Sequence, residues 1–454
     1  MAVVAVIGAP AGAINYTFTT DTSADWASVA NSTYFYDKAD KLVHFKNASG
    51  TVLEIFAAGG GSSSGVFGIS NTSGAYTYYT TLTLAMAAAT SGQVIEMFAD
   101  VVETGAVTID LKDGVSINGN GHSYTLNYSA STIYAFTILT TATFTISNMR
   151  IARTSGDYYV LKHSTSGTLY LNNTTIVTNQ ATAVIYTDST SGTIDGGIIL
   201  NTSATGSGVF CVYYVRLLNV KSIVSGSGSG FVTDNYTAYF YNCYGQSNSG
   251  TGINTIASTL VACIGVSTSG FGIRQGSATS ITRNCNGTST TGTGLFTSGP
   301  TYNSTGTSVS GYGIDATGGV EIVNCVGMSS SSVGLYNTYG SVSLINVTAI
   351  SSTNAGAAQD LSYAEPRLRI ENCYFWSKWD NASGRAFFIG PSVYPAVVSG
   401  TTLRCANATA NNIYSSSTIS FKIFKNIYIS GAGNSSGITN SMVNTEDSQG
   451  NIYE

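Results

Sequence analysis

The sequence predicts an all-β fold, a parallel β-helix, and three observations predict it. The first is a repeat. A phrase of apolar residue, polar residue and Asn recurs as Ile146-Ser-Asn148, Leu171-Asn-Asn173, Leu217-Leu-Asn219, Phe240-Tyr-Asn242-Cys243, Ile322-Val-Asn324-Cys325, Leu344-Ile-Asn346 and Ile370-Glu-Asn372-Cys373. Variants stand at Leu260-Val-Ala262-Cys263 and Ile281-Thr-Arg-Asn284-Cys285, with fainter anchors at Gly196 and Ser304. Successive anchors from 148 to 372 lie 20 to 26 residues apart. That period accommodates three short strands and three turns, and stacked units share a core that none buries alone. The second observation is a second phrase in the same period, Gly then an apolar residue: Gly230-Phe231, Gly252-Ile253, Gly272-Ile273, Gly294-Leu295, Gly313-Ile314 and Gly334-Leu335. The third is the punctuation between them, such as Ser-Gly-Ser-Gly-Ser-Gly at 225–230. A helical repeat needs long runs of 3.6 period with few Gly or β-branched residues, and a propeller blade needs about twice this period.

Residues 1–58 do not share the repeat. The apolar start, Met1 to Pro10, has no positive n-region and reads as an arm rather than a signal peptide. Tyr34-Phe-Tyr36, Leu42-Val-His-Phe45 and Val52-Leu-Glu-Ile-Phe56 alternate as short strands, joined as hairpins by Asp37–Asp40 and Asn47–Gly50. This is a small N-terminal β module. Residues 59–78, opening on Gly59-Gly-Gly-Ser-Ser-Ser-Gly65, read as a linker. Residues 79–390 are assigned to the solenoid. Thr80 or Thr81 N-caps a short helix, Leu82–Ala89, that covers the open end of the solenoid, whose strand edges would otherwise be unpaired. Residues 391–454 hold the last coils, with anchors at Arg404 and Asn426, and a C-terminal cap over Thr439–Glu454.

Composition limits the chemistry. Charged residues are 9% of 454, and the net charge is −5 with no basic run, which argues against nucleic acid as a partner. No uninterrupted apolar stretch is long enough to span a bilayer, so no membrane insertion is expected. Among the seven Cys, Cys243, Cys263, Cys285, Cys325 and Cys373 directly follow the anchor, so they read as a ladder of small buried side chains at one strand spacing. The absence of a CxxC spacing and the scatter of His44, His122 and His163 point to no metal and no cofactor. His122, in the Gly-Asn-Gly-His turn, reads as structural. The anchor Asn residues read as a bend in left-handed geometry with amides stacked from coil to coil.

Glycan-cleaving solenoids need paired carboxylates about 5–10 Å apart. Asp188, Asp195 and Asp234 are the candidates: Asp188 and Asp234 take similar places in their repeats, two coils apart and hence roughly 10 Å. Asp234 is the only acid between Gly196 and Gly313. Binding is better supported than catalysis. The 29 Tyr concentrate in the early coils, at Tyr158, Tyr159, Tyr170 and Tyr186 and then at Tyr213, Tyr214, Tyr236 and Tyr239. The last four are the candidate glycan contacts, since Tyr offers a rigid flat face with a polar tip.

The capping helix, Gly92 before the first strand, and Asp113-Gly-Val-Ser-Ile-Asn-Gly-Asn-Gly121 together resemble the opening of the pectate-lyase-like right-handed β-helix superfamily. With the segment from Trp26 to Phe56 in front of it, the layout resembles the fibre and tailspike proteins of tailed bacteriophages. That resemblance implies a virion-surface protein, usually a homotrimer. Its N-terminal module, through Trp26, Tyr34, Tyr36 and Phe45, docks to other virion proteins, and its solenoid adheres to a host surface polysaccharide or receptor. The scarcity of acids departs from the depolymerase pattern. The expectation is a structural or adhesive fibre, with a polysaccharide hydrolase or lyase carrying its carboxylates on or between solenoids as the alternative.

Overall fold

The computed structural model describes residues 65–70, 76–128, 134–138, 143–156, 158–234, 237–339, 342–359, 368–381, 383–389 and 396–407, and outside these mainly the backbone of short strands within 19–57 and 411–453. The chain separates into two compact units, one of residues 1–65 with 78–80 and one of 66–77 with 81–454.

The first unit holds a four-stranded sheet. Thr33–Asp37, Leu42–Lys46 and Val52–Ala57 form an antiparallel meander, and Thr19–Asp21 adds a parallel strand at its edge. Tyr34 and Phe45 stand opposite each other in the register, whereas Trp26 lies outside the described residues.

The second unit is a parallel β-helix. Each coil contributes one strand to each of three columns. The first column includes Phe144–Ser147, Arg216–Leu218, Thr237–Tyr241 and Ile281–Arg283. The second includes Arg150–Arg153, Tyr244–Ser247 and Ile264–Ser267. The third is a separate sheet of fifteen strands. Columns one and two run together where Thr168–Thr178 and Thr193–Asn201 pass straight through the bend between them.

That bend is what the repeated Asn does. Asn148, Asn173, Asn219, Asn242, Asn284, Asn303, Asn324, Asn346 and Asn372 all have φ between 48° and 56°. Asn tolerates this left-handed region better than other non-glycine residues. Their amides form a ladder: Asn173 donates to Asn148 at 3.1 Å, Asn242 to Asn219 at 2.8 Å, Asn324 to Asn303 and Asn346 to Asn324 at 3.0 Å. Two anchors shift. The bend near 304 is made by Asn303, and Ser304 stands in the next column with the cysteines; a hydroxyl fits there as well as a thiol, which hid the register. After Asn372 the bend falls at Gly400, with φ 59°, and Arg404 lies inside the strand Thr402–Cys405, because glycine reaches this geometry without an Asn phrase. Asn426 lies outside the described residues.

Ala262 is the one anchor in this series with neither Asn nor Gly, at φ 54°. Its neighbours Asn242 and Asn284 therefore lack a ladder partner between them. Ala262→Asn is expected to stabilise the solenoid by about 1 kcal/mol, through left-handed preference and two restored amide bonds. Urea unfolding measures it; a lower midpoint would contradict the ladder.

The cysteine column behaves as the spacing implies. All seven Cys are buried and free. The thiols of Cys263, Cys285, Cys325 and Cys373 each donate to the carbonyl two residues earlier, at 3.1–3.3 Å. Thr174, Ser304 and Thr401 make the same bond from the same position. Burial pushes the Cys325 and Cys373 thiols up to about 11, away from thiolate chemistry.

At the N-terminal end of the solenoid the helix α1, Leu82–Ala88, buries Leu82, Ala85 and Met86. Thr81 caps it, accepting from the Leu84 N–H at 3.2 Å, and Ala89 is the C-cap. Part of the stretch read from composition as a linker belongs to the solenoid: Phe67 and Ile69 are buried, and Phe67–Ser70 pairs antiparallel with Val94–Met97. Alternating apolar residues outweighed the Gly and Ser around them.

Candidate functional site

Along each outer strand, inward and outward residues alternate, so every strand column also carries outward columns. On the third sheet one of these runs Thr137, Lys162, Tyr186, Phe210. Its strands are three residues long, Leu161–His163, Ile185–Thr187 and Val209–Cys211, with buried ends and an outward middle residue. The turns that enter these strands add Tyr134, Tyr158 and Tyr159.

The rings form one continuous patch. Tyr134 meets Tyr158 edge-on at 4.7 Å between centroids and stacks on Tyr159 at 5.9 Å. Tyr159 meets Tyr186 at 4.8 Å, and Tyr186 stacks on Phe210 at 6.0 Å. The Tyr158 and Tyr134 hydroxyls are 3.2 Å apart. Lys162 Nζ sits 5.1 Å from the Tyr134 ring centre and 5.9 Å from that of Tyr186, and 3.3 Å from Asp188 Oδ2. Tyr213 and Tyr214 follow at the end of Val209–Cys211, 37% and 52% exposed, and Tyr213 lies near enough to Tyr186 to bear on its ionisation. Partial burial is the main cause that raises the Tyr159 and Tyr186 phenols above their usual range, so both stay protonated at neutral pH. The patch thus offers flat apolar faces edged with hydroxyl donors, one ammonium and one carboxylate. Such a surface stacks on the apolar face of a sugar ring and hydrogen-bonds its rim.

The four sequence candidates divide. Tyr213 and Tyr214 adjoin the patch. Tyr239 lies on the first sheet, beneath the Arg216 guanidinium at 5.6 Å, on a different face. Tyr236 lies outside the described residues. Tyr134, Lys162 and Phe210 were missed, because nothing in their spacing announces that the turn before one strand meets the middle of the next. The aromatic character continues along the third sheet: Phe271 and Phe296 meet at 5.5 Å beside Arg274, and Tyr312 stacks on Tyr336 at 4.4 Å.

The three acids do not form a compact pair. Asp188 and Asp234 do share a column, each following an equivalent residue of the third sheet, Thr187 and Thr233, with the coil of Cys211 between them. Two strand spacings make roughly 10 Å. Asp188 is engaged by Lys162, and Asp234 is exposed. Asp195 lies on the first sheet, where its Oδ1 accepts from the Asn219 amide at 2.8 Å. It ends the Asn ladder where Gly196 has no side chain to offer, which is a structural role. His122 lies 3.4 Å from Asp100, whose Oδ1 also accepts from the Ser123 N–H, a tie to the preceding coil. Among the described residues no three His, Cys, Asp or Glu side chains converge to hold a metal ion.

His163 lies directly beneath the patch, fully buried, with Nε2 3.1 Å from the Gly167 carbonyl. Burial depresses its pKa to about 4. The unfolded chain takes up the proton near pH 6.5 and the folded chain only near 4, so stability falls as pH drops through that window. The loss amounts to roughly 3 kcal/mol. His163→Gln is expected to flatten the pH dependence of Tm between pH 7 and 4, because Gln275 shows that an amide fits this inward column. An unchanged slope would remove His163 as its source.

Comparison with protein-family models, with curated proteins and with solved structures finds no match.

Proposed function

We propose that this chain is a non-enzymatic adhesive fibre of a tailed-phage particle. In this reading the N-terminal module attaches to other virion proteins, and the solenoid, as a homotrimer on the virion surface, holds host surface polysaccharide on its third sheet. The single observation that carries the adhesive part is the patch of Tyr134, Tyr158, Tyr159, Tyr186 and Phe210 around Lys162, a contiguous aromatic surface built on successive coils. Its placement on rigid strands limits the entropy lost on binding an extended sugar chain.

Incubation of the purified protein with host capsule or surface polysaccharide tests it. Retention of polysaccharide without release of reducing ends or ultraviolet-absorbing unsaturated sugars is the expected result. Tyr186→Ala is expected to weaken retention tenfold or more, about 1.4 kcal/mol or above. Tyr241→Ala, exposed on the first sheet, leaves it unchanged. Equal retention by both variants would remove the patch from the binding surface.

One observation favours the alternative, a depolymerase: the roughly 10 Å separation of Asp188 and Asp234 is close to that of carboxylates in inverting glycosidases. Product release lost on Asp188→Asn or Asp234→Asn would establish it over the adhesive reading.

A further inference from the structure

The three outer faces of the solenoid differ in charge. The first carries Asp195, Arg216, Arg283, Glu321, Arg369 and Glu371. The third carries Lys162, Arg274 and Asp315. The second is different: seven consecutive strands, from Tyr244–Ser247 through Ile264–Ser267, Asn286–Ser289, Thr305–Ser308, Val326–Ser329 and Thr348–Ser351 to Tyr374–Ser377, contain no charged residue. Aliphatic side chains point outward from this face, as Leu200, Ile223, Val266, Met328 and Ile350 in one outward column. Ile264 and Val326 do so in the next, with Ile264 42% exposed, and Lys221 bounds that column on the coil before Tyr244.

We infer that this second face is where a second copy of the chain packs, parallel and with the coils in step. Charge selects the occupant. Parallel copies around an axis along the solenoid bring each residue close to its own counterpart, so a charged column would stack like on like. Only the second face is free of that repulsion over seven coils. Its rows repeat at the strand spacing of about 4.8 Å, which another solenoid of the same pitch matches row by row. The seven uncharged coils, from Tyr244–Ser247 to Tyr374–Ser377, span roughly 30 Å by 13 Å, or about 400 Å² of flat sheet per copy. Side-chain relief raises the accessible area toward the roughly 800 Å² per partner of stable interfaces. The inference rests on the reading of the chain as an oligomeric fibre and names the surface that reading needs.

Sedimentation of the full chain tests it. The wild type is expected to sediment as an assembly at micromolar concentration. Ile264→Glu with Val326→Glu is expected to sediment as a monomer with an unchanged circular dichroism spectrum. Thr259→Glu, an outward position on the first sheet, is expected to remain assembled. A monomeric wild type, or an assembled double variant, overturns the inference. Should the double variant lose its fold, Thr305→Cys decides. Every natural thiol is buried, so a short bis-maleimide is expected to join chains through residue 305 and not through Thr259→Cys. The reverse pattern, or no joining, overturns the inference. Polysaccharide retention is scored on the same samples: a monomeric wild type that still retains it removes the interface and leaves the adhesive reading, and an assembled wild type that retains nothing does the opposite.

Discussion

Gly287→Val is expected to abolish the folded solenoid, with the protein recovered only as aggregate. Gly245, Gly265, Gly287, Gly306 and Gly327 form one inward column. They face Gly252, Gly272, Gly294, Gly313 and Gly334 across the coil. A Cβ added at Gly287 would lie well inside 3.0 Å of the Gly294 carbonyl oxygen, and the other four members of its column meet their partners in the same way. The obstacle is backbone held by ladder hydrogen bonds in both directions, so it cannot move aside as a side chain can. Even Gly287→Ala is expected to cost about 3 kcal/mol or more, the upper range for overpacking. Gly276→Ala is the control, because the nearest atom to its Cβ is 3.8 Å away; it is expected to stay within about 0.5 kcal/mol of wild type. Similar unfolding midpoints for Gly276→Ala and Gly287→Ala would show that the coil interior has room. The column widens where Ala349 and Phe375 succeed the glycines, and there Phe375 packs on Phe387 at 5.5 Å.

Ser289→Ala is expected to lower stability by about 2–3 kcal/mol, more than any exposed substitution. Ser289 belongs to an inward column of Ser247, Ser267, Ser289, Ser308, Ser329, Ser351 and Ser377. Each hydroxyl donates to a backbone carbonyl of the preceding coil at 2.5–2.7 Å. The first six also accept from the N–H three residues on, at 2.8–2.9 Å. One side chain thus satisfies two buried backbone groups at the corner between the second and third sheets, where the ladder bonds stop. Alanine leaves both unpaired. Ser289→Cys is expected to recover part of the loss, since Cys405 continues the same column after Ser377. A urea midpoint for Ser289→Ala equal to wild type would mean that water enters the corner and replaces the hydroxyl.

This serine column was legible in principle. It gives the repeat its fuller form, Cys-x-Gly-x-Ser, as in Cys243-Tyr-Gly245-Gln-Ser247 and Cys285-Asn-Gly287-Thr-Ser289. Against a background rich in Ser and Thr it did not stand out, whereas the rarer Asn and Cys did. The same background explains the one-residue slip at Ser304. Asp195 shows a different limit: as an acid close in sequence to Asp188 it suggested paired carboxylates, but its partner Asn219 comes from the next coil.

By itself the sequence determined the solenoid, its coil period, the Asn bends, the cysteine ladder and a short helix capped by Thr80 or Thr81. All of these follow from local backbone preference or from a pattern repeated at the coil spacing, and repetition makes a weak local signal readable. Only the tertiary structure decided which tyrosines share a surface, that Lys162 and Asp188 meet among them, and that seven successive coils of one face carry no charge. Those facts depend on how residues from neighbouring coils and different turns project sideways. The repeat aligns coils along the axis and leaves that lateral meeting to packing.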